Sequence, residues 1–172
     1  MGLAKEKTFG DRDEKVKAVE YYDMVLEKVT EAEAAAMVND RTGWAEGRYV
    51  DLRLRALCGK ADLVAELNND NTDAKPIYLE CVVVLANLDL EAQEVDIRRL
   101  VRLTCKSIAR KVHRVLAGYA AAEGDAYTCL HHWNNVVAHC VDEDHRRMAV
   151  GEFTAMAFSL AHMADCDEGV GG

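Results

Sequence analysis

The residue types best suited to chemistry crowd into one stretch of the chain. His131, His132, His139 and His145 lie there with Cys129, Cys140, Asp142, Glu143 and Asp144. Imidazole, thiolate and carboxylate are the donors of transition-metal sites, and ligands on one helix need i, i+3 or i+4 spacing to share an ion. His139 meets that spacing with both Asp142 and Glu143. His132 stands two full turns earlier, about 10.5 Å along a helix axis, too far to join His139 on one ion unaided. A metal centre on His132, His139 and Glu143 therefore needs a ligand from another helix, such as His113 or His162. Neither an H-E-x-x-H nor an E-x-x-H pattern supports it. The segment reads first as satisfied or exposed histidines with no cofactor. A metal- or thiol-dependent helical enzyme using residues 129–145 is the alternative.

Charge segregation is the second signal. Arg98, Arg99, Arg102, Lys106, Arg110, Lys111 and Arg114 fall between Ile97 and Ala122, where there is no Asp or Glu. These seven leave 14 basic against 30 acidic residues elsewhere, within a chain whose net charge is −9. Arg98, Arg102, Lys106, Arg110 and Arg114 recur every four residues. On a helix this row drifts slowly around the side opposite Val101, Ile108 and Val115. Such a row suits an acidic partner helix, or the acids of the same chain at Glu27, Glu31 and Glu33. Phosphate neutralisation, with its steep salt dependence, is the nucleic-acid reading. The acidic remainder disfavours it, and the aromatic residues needed to stack bases are missing from the row.

Other motifs carry little. The six cysteines form no C-x-x-C pair, and a chain with this much apolar content does not need disulfides, so they read as buried free thiols. That usage fits an intracellular, reducing compartment. Asn69 to Glu80 places oxygen side chains at several calcium-loop positions, yet Ala74 and Pro76 stand where that loop needs a turn glycine and a hydrogen-bonded apolar residue. Glu91 and Glu94 make one E-x-x-E without a second acidic pair on the next helix. Glycine-rich phosphate loops and nucleophile elbows are absent.

The elements that position these residues are helical. One proline and eleven glycines in 172 residues leave few obligatory breaks, and three- and four-residue apolar steps recur along the chain. Ala18, Tyr22, Val25, Val29 and Ala32 mark a helix from Asp11 to about Met37, and Val50, Leu54, Leu57, Ala61 and Val64 another from Trp44 to Leu67. The β-branched run in Ile77–Leu90 reads as a central helix, apolar nearly all round. Val101, Cys105, Ile108, Val112, Val115 and Tyr119 stripe a helix ending before Gly124. Asp125 caps the next, which is expected to reach Val141. A last helix from Asp144 to Ala164 turns Phe153, Met156, Leu160 and Met163 inward and carries a small-residue ridge at Gly151, Ala155 and Ser159.

The expectation is an all-α, single-domain bundle of about six helices. It spans residues 11–164, between an N-terminal tail (1–10) and a flexible acidic and glycine-rich tail (165–172). No apolar run reaches the roughly 20 residues of a membrane span. Functionally the sequence points to a non-catalytic accessory, adaptor or scaffold component of a larger protein assembly. Its docking surface is the basic helix 98–114.

Overall fold

The computed structural model describes the backbone of residues 3–37, 44–68, 72–88 and 96–168, and the side chains of 11–35, 49–68, 72–88 and 101–163. It is all-α. The helices are α1 (Leu3–Met37), α2 (Trp44–Asn68), α3 (Ala74–Ala86), α4 (Asp96–Ala122), α5 (Ala126–Ala138) and α6 (Glu143–Glu168). There is no strand among the described residues. Helix α1 begins eight residues before the expected start, and α6 runs four residues past its expected end. No described helix is long and apolar enough to cross a membrane.

The helices sort into two compact units, Met1–Cys105 and Lys106–Gly172. In the first, α1 and α2 pack as an antiparallel pair whose register is written in charge. Glu33 pairs with Arg53, which also donates to Thr30 Oγ1 at 3.3 Å. Asp23 meets Lys60 at 2.5 Å and Lys15 meets Glu66 at 3.1 Å. As the α1 number falls, the α2 number rises, which is the signature of opposed helices. Lys60–Asp23 and Lys15–Glu66 are solvated on the acid side and each contributes no more than about 1 kcal/mol, while Arg53–Glu33 is part-buried; together they fix the register. Stability comes from the buried face of α2, where Val50, Leu54, Leu57, Cys58 and Ala61 are withdrawn from water.

Close approach between α1 and α2 depends on a glycine. A Cβ built on Gly59 would stand 2.5 Å from the Tyr22 hydroxyl oxygen and 2.6 Å from its Cζ. Tyr22 thus lies over the backbone of α2, in space that any other residue would fill.

Helix α3 is present, but it is not the central helix its composition suggests. Ala74, Tyr78, Cys81 and Leu85 form its buried stripe, while Leu79 is 43 % and Val83 60 % exposed. Tyr78 anchors it to α2 by donating its hydroxyl to Asp62 at 2.6 Å. Asp73 occupies the N-cap position without a side-chain bond to the helix; its carboxylate accepts instead from Asn68 Nδ2 at 2.7 Å. The helix takes up the second half of the calcium-loop pattern, so Tyr78, Leu79 and Glu80 are helical rather than looped. Residues 69–71, and Glu91 with Glu94, lie outside the described residues.

In the second unit α4, α5 and α6 enclose a core of Ala117, Ala120, Cys129, Trp133, Val136 and Ala149, flanked by Phe153, Met156 and Leu160. The turn between α4 and α5 follows the sequence closely. Gly124 takes φ +75°, a left-handed conformation natural only to glycine. The bonds Asp125 N to Ala120 O (2.9 Å) and Gly124 N to Ala121 O (3.1 Å) close a Schellman end on α4. Asp125 then caps α5 by accepting from Thr128 N at 3.0 Å. Helix α5 stops at Ala138, three residues short of expectation, with His139 as its C-cap. On α6 the expected inward Met163 is 60 % exposed, and Gly151, Ala155 and Ser159 face outward. Nothing stands within 4 Å of a Cβ built on Gly151, so no neighbour uses that ridge.

Gly59→Ala should lower the urea midpoint of the protein by an amount equivalent to about 1–2 kcal/mol, because displacing the ring outweighs alanine's helix preference of about 1 kcal/mol. In a Tyr22→Ala background the same change should become neutral or stabilising. The same loss in both backgrounds would show that Tyr22 is not what makes the position intolerant.

Candidate functional site

Helix α4 carries the basic row, and its buried side decides where that row points. The buried residues are Cys105, Ala109, Val112, His113, Leu116, Ala117 and Ala120. Val101, Ile108, Val115 and Tyr119 are only half-buried. At about 100° per residue, the true inner face is turned by roughly 80° from the stripe of large apolar residues. That inner face carries Ala109, Ala117 and Ala120 together with His113, residues an apolar-size pattern passes over. The basic row is therefore not opposite the core throughout. Arg102, Lys106 and Arg110 are half-buried along its flank, and only Lys111 and Arg114 are exposed. The side chains of Arg98 and Arg99 lie outside the described residues.

Arg110, Lys111 and Arg114 line one side of a cleft of about 390 Å³ within the second unit. Its apolar lining comes from Val115 of α4, Val136 of α5, and Met148 and Ala149 of α6, with Cys140 between the last two helices. Most other polar groups at the cleft are committed. Arg114 pairs with Glu152 at 2.8 Å and also sits 5.7 Å over the ring of Trp133. The Asp142 carboxylate caps α6 by accepting from His145 N at 2.8 Å, and it pairs with the His145 ring. Those bonds, with Arg110 nearby, hold the Asp142 carboxyl below its usual range. The Cys140 thiol donates to Val136 O at 3.3 Å. Arg110 makes no ion pair among the described residues. Of the acids of α1, Glu33 pairs with Arg53 and Glu31 with Lys28.

Beside the cleft, the histidines converge in a way the metal pattern does not describe. His139 is a helix cap, so its i, i+4 relation to Glu143 spans a turn rather than one helix face. His132 points instead at His113 of α4, Nδ1 to Nδ1 at 2.9 Å. The His139 ring stacks on His113 with centroids 5.9 Å apart and planes 10° apart. His131 meets His132 edge-on at 5.7 Å. His113 therefore takes the place between His132 and His139 that the metal reading gives to an ion. Among the described residues no three His, Cys, Asp or Glu side chains are grouped to hold a metal. His162 is exposed on α6.

Both partners of the central bond are buried, His113 at 5 % and His132 at 8 % exposure. Burial, reinforced by the neighbouring imidazoles, pushes His113 down to about 4. Burial and then Lys106 lower His139. Trp133 Nε1 is also buried and has no hydrogen-bond partner.

The five described cysteines form no disulfide among the described residues, and of these five Cys140 alone is not fully buried. Desolvation raises Cys81 to about 12 and Cys105 to about 11, which suppresses the reactive thiolate. A short iodoacetamide pulse at pH 8, mapped by peptide mass, should alkylate Cys140 at least about tenfold faster than Cys81 or Cys105. Equal rates would mean that the core opens as readily as the cleft. No family model matches this chain, and neither does any curated protein or solved structure.

Proposed function

We propose that the protein is a non-catalytic docking component of a larger protein assembly, receiving an acidic segment of its partner on the basic face of α4. The observation that carries this reading is a cationic wall over an apolar floor, Arg110 and Lys111 beside Val115, Val136 and Met148. Helix stability does not account for the row. Cations four residues apart on a helix repel by a few tenths of a kcal/mol per pair. Cations in a first turn also oppose the helix dipole, and Arg98 and Arg99 occupy that turn of α4. Glu152 matches Arg114, whereas Arg110 makes no ion pair among the described residues, and an acidic partner would match it.

The same surroundings support binding over bond-making. The carboxylates at the cleft are held by His145 and Arg114, and the Cys140 thiol is bonded to a carbonyl. A general base or nucleophile needs its lone pair available to substrate.

Native mass spectrometry of the protein drawn gently from its own source should show a species heavier by whole protein chains. Arg110→Glu with Lys111→Glu, checked for unchanged helicity by circular dichroism, should reduce that species at least about tenfold and leave the chain alone, since like charges then face each other across the contact. A bare wild-type chain, or one carrying nucleic acid or a metal-sized increment, overturns the docking reading.

A further inference from the structure

Two imidazoles joined Nδ1 to Nδ1 inside a protein can hold each other only while at least one of them is neutral, so the closed pair takes up one proton fewer than two separated rings. One ring must offer an Nδ1–H and the other a bare Nδ1. A second proton would set two N–H groups face to face across the 2.9 Å that separates His113 from His132. The stacked His139 ring would meet any charge on His113 with charge of its own. No carboxylate acts on His113 to soften this; the titratable groups that act on it are His132, His139 and His131. The charge felt by His139 is that of Lys106, again a cation. Asp142 and Glu152, acids of the same unit, are occupied by His145 and Arg114.

We infer that the His113–His132–His139 cluster is an acid-released latch, tying the C-terminal part of α5 to α4 when its rings are neutral and freeing it when they charge. The latch stands apart from docking: it needs no partner, and its release is visible in the free protein.

The direction follows from proton linkage. The ordinary histidine value is 6.5 and burial takes His113 to about 4, so between these values the opened form binds the proton and the closed form does not. The latch is at full strength above pH 6.5 and weakens as pH falls toward 4. For His113 alone, going from pH 7.5 to 5 raises the opening equilibrium on the order of thirtyfold. His139, lowered for the same reason, acts in the same direction.

Amide hydrogen exchange on the full chain, corrected for intrinsic rates, tests this at pH 7.5 and 5.0. Protection in peptides from 126–138 should fall on the order of thirtyfold, with peptides from 50–68 of the first unit as the reference that changes much less. Nitrogen-detected spectra of the histidine rings should show His113 and His132 as complementary neutral tautomers at pH 7.5. His113→Gln should flatten the response of α5. His139→Gln, which leaves the central bond in place, should reduce the response without abolishing it. Unchanged α5 protection at pH 5, equal loss in both units, or an undiminished response in His113→Gln each overturns the latch. Should His113→Gln fail to fold, the wild-type profile and the ring tautomers still decide: a charged His113 at pH 6 in the closed protein refutes it.

Discussion

A buried bond between two imidazoles, His113 to His132, is the constraint on which the second unit turns. It fixes the rotation of α4, because His113 can reach His132 only if its side of the helix faces α5. Once that is set, Arg110 and Arg114 follow from the helical step alone. Arg114 lies about 100° further round, over Trp133 and within reach of Glu152. Arg110 falls between the buried face and solvent, on the side of the cleft. The polar core contact and the cationic wall are therefore one geometric decision. A different inward residue on α4 would move the wall as well.

Charge is matched between helices in both units, in the second by Arg114 with Glu152, but at the cleft Arg110 is left without an ion partner among the described residues. In the first, Gly59 admits Tyr22, and the charges between α1 and α2 are matched: Glu33 with Arg53, Asp23 with Lys60, Lys15 with Glu66. Matched charge sets the register between elements of one chain. Unmatched charge at the edge of an apolar cleft is costly to the isolated molecule and favours an outside ligand of opposite sign.

Much of this was legible in the residues. The helical period announced all six helices, and Gly124 followed by Asp125 announced the turn between α4 and α5, because a left-handed glycine and a capping acid act locally. Faces were harder. Of the stripe expected on α4, Cys105 and Val112 are fully buried, but Val101, Ile108 and Val115 are only half-buried, while Ala109, His113 and Ala117 are withdrawn from water beside them. Periodicity weighs large apolar side chains, so a face marked by alanines and a histidine does not register in it. Asp73 shows the same limit, since a residue with the right side chain for capping was drawn to Asn68 instead. For the histidines, sequence placed the donors together and named His113 as an available partner from another helix. It held no sign that the contact would be ring to ring, because a His–His bond has no fixed spacing and depends on where α5 ends.

The dimensions of the cleft bear on what docking there could be. A volume of about 390 Å³ admits one or two apolar side chains, not the extended face of an obligate dimer, whose interfaces run to 2,000 Å² or more. An acidic segment seated there would gain its affinity from one apolar anchor among Val136, Met148 and Ala149, ringed by Arg110 and Lys111. Rim charges act mainly on the rate of encounter and are screened within about 8–10 Å at physiological salt. Association of the proposed kind through this cleft alone would be fast, reversible and salt-sensitive. A lasting complex would need further contact surface beyond it, and Val150 and Phe158 are exposed apolar residues on the same helix α6.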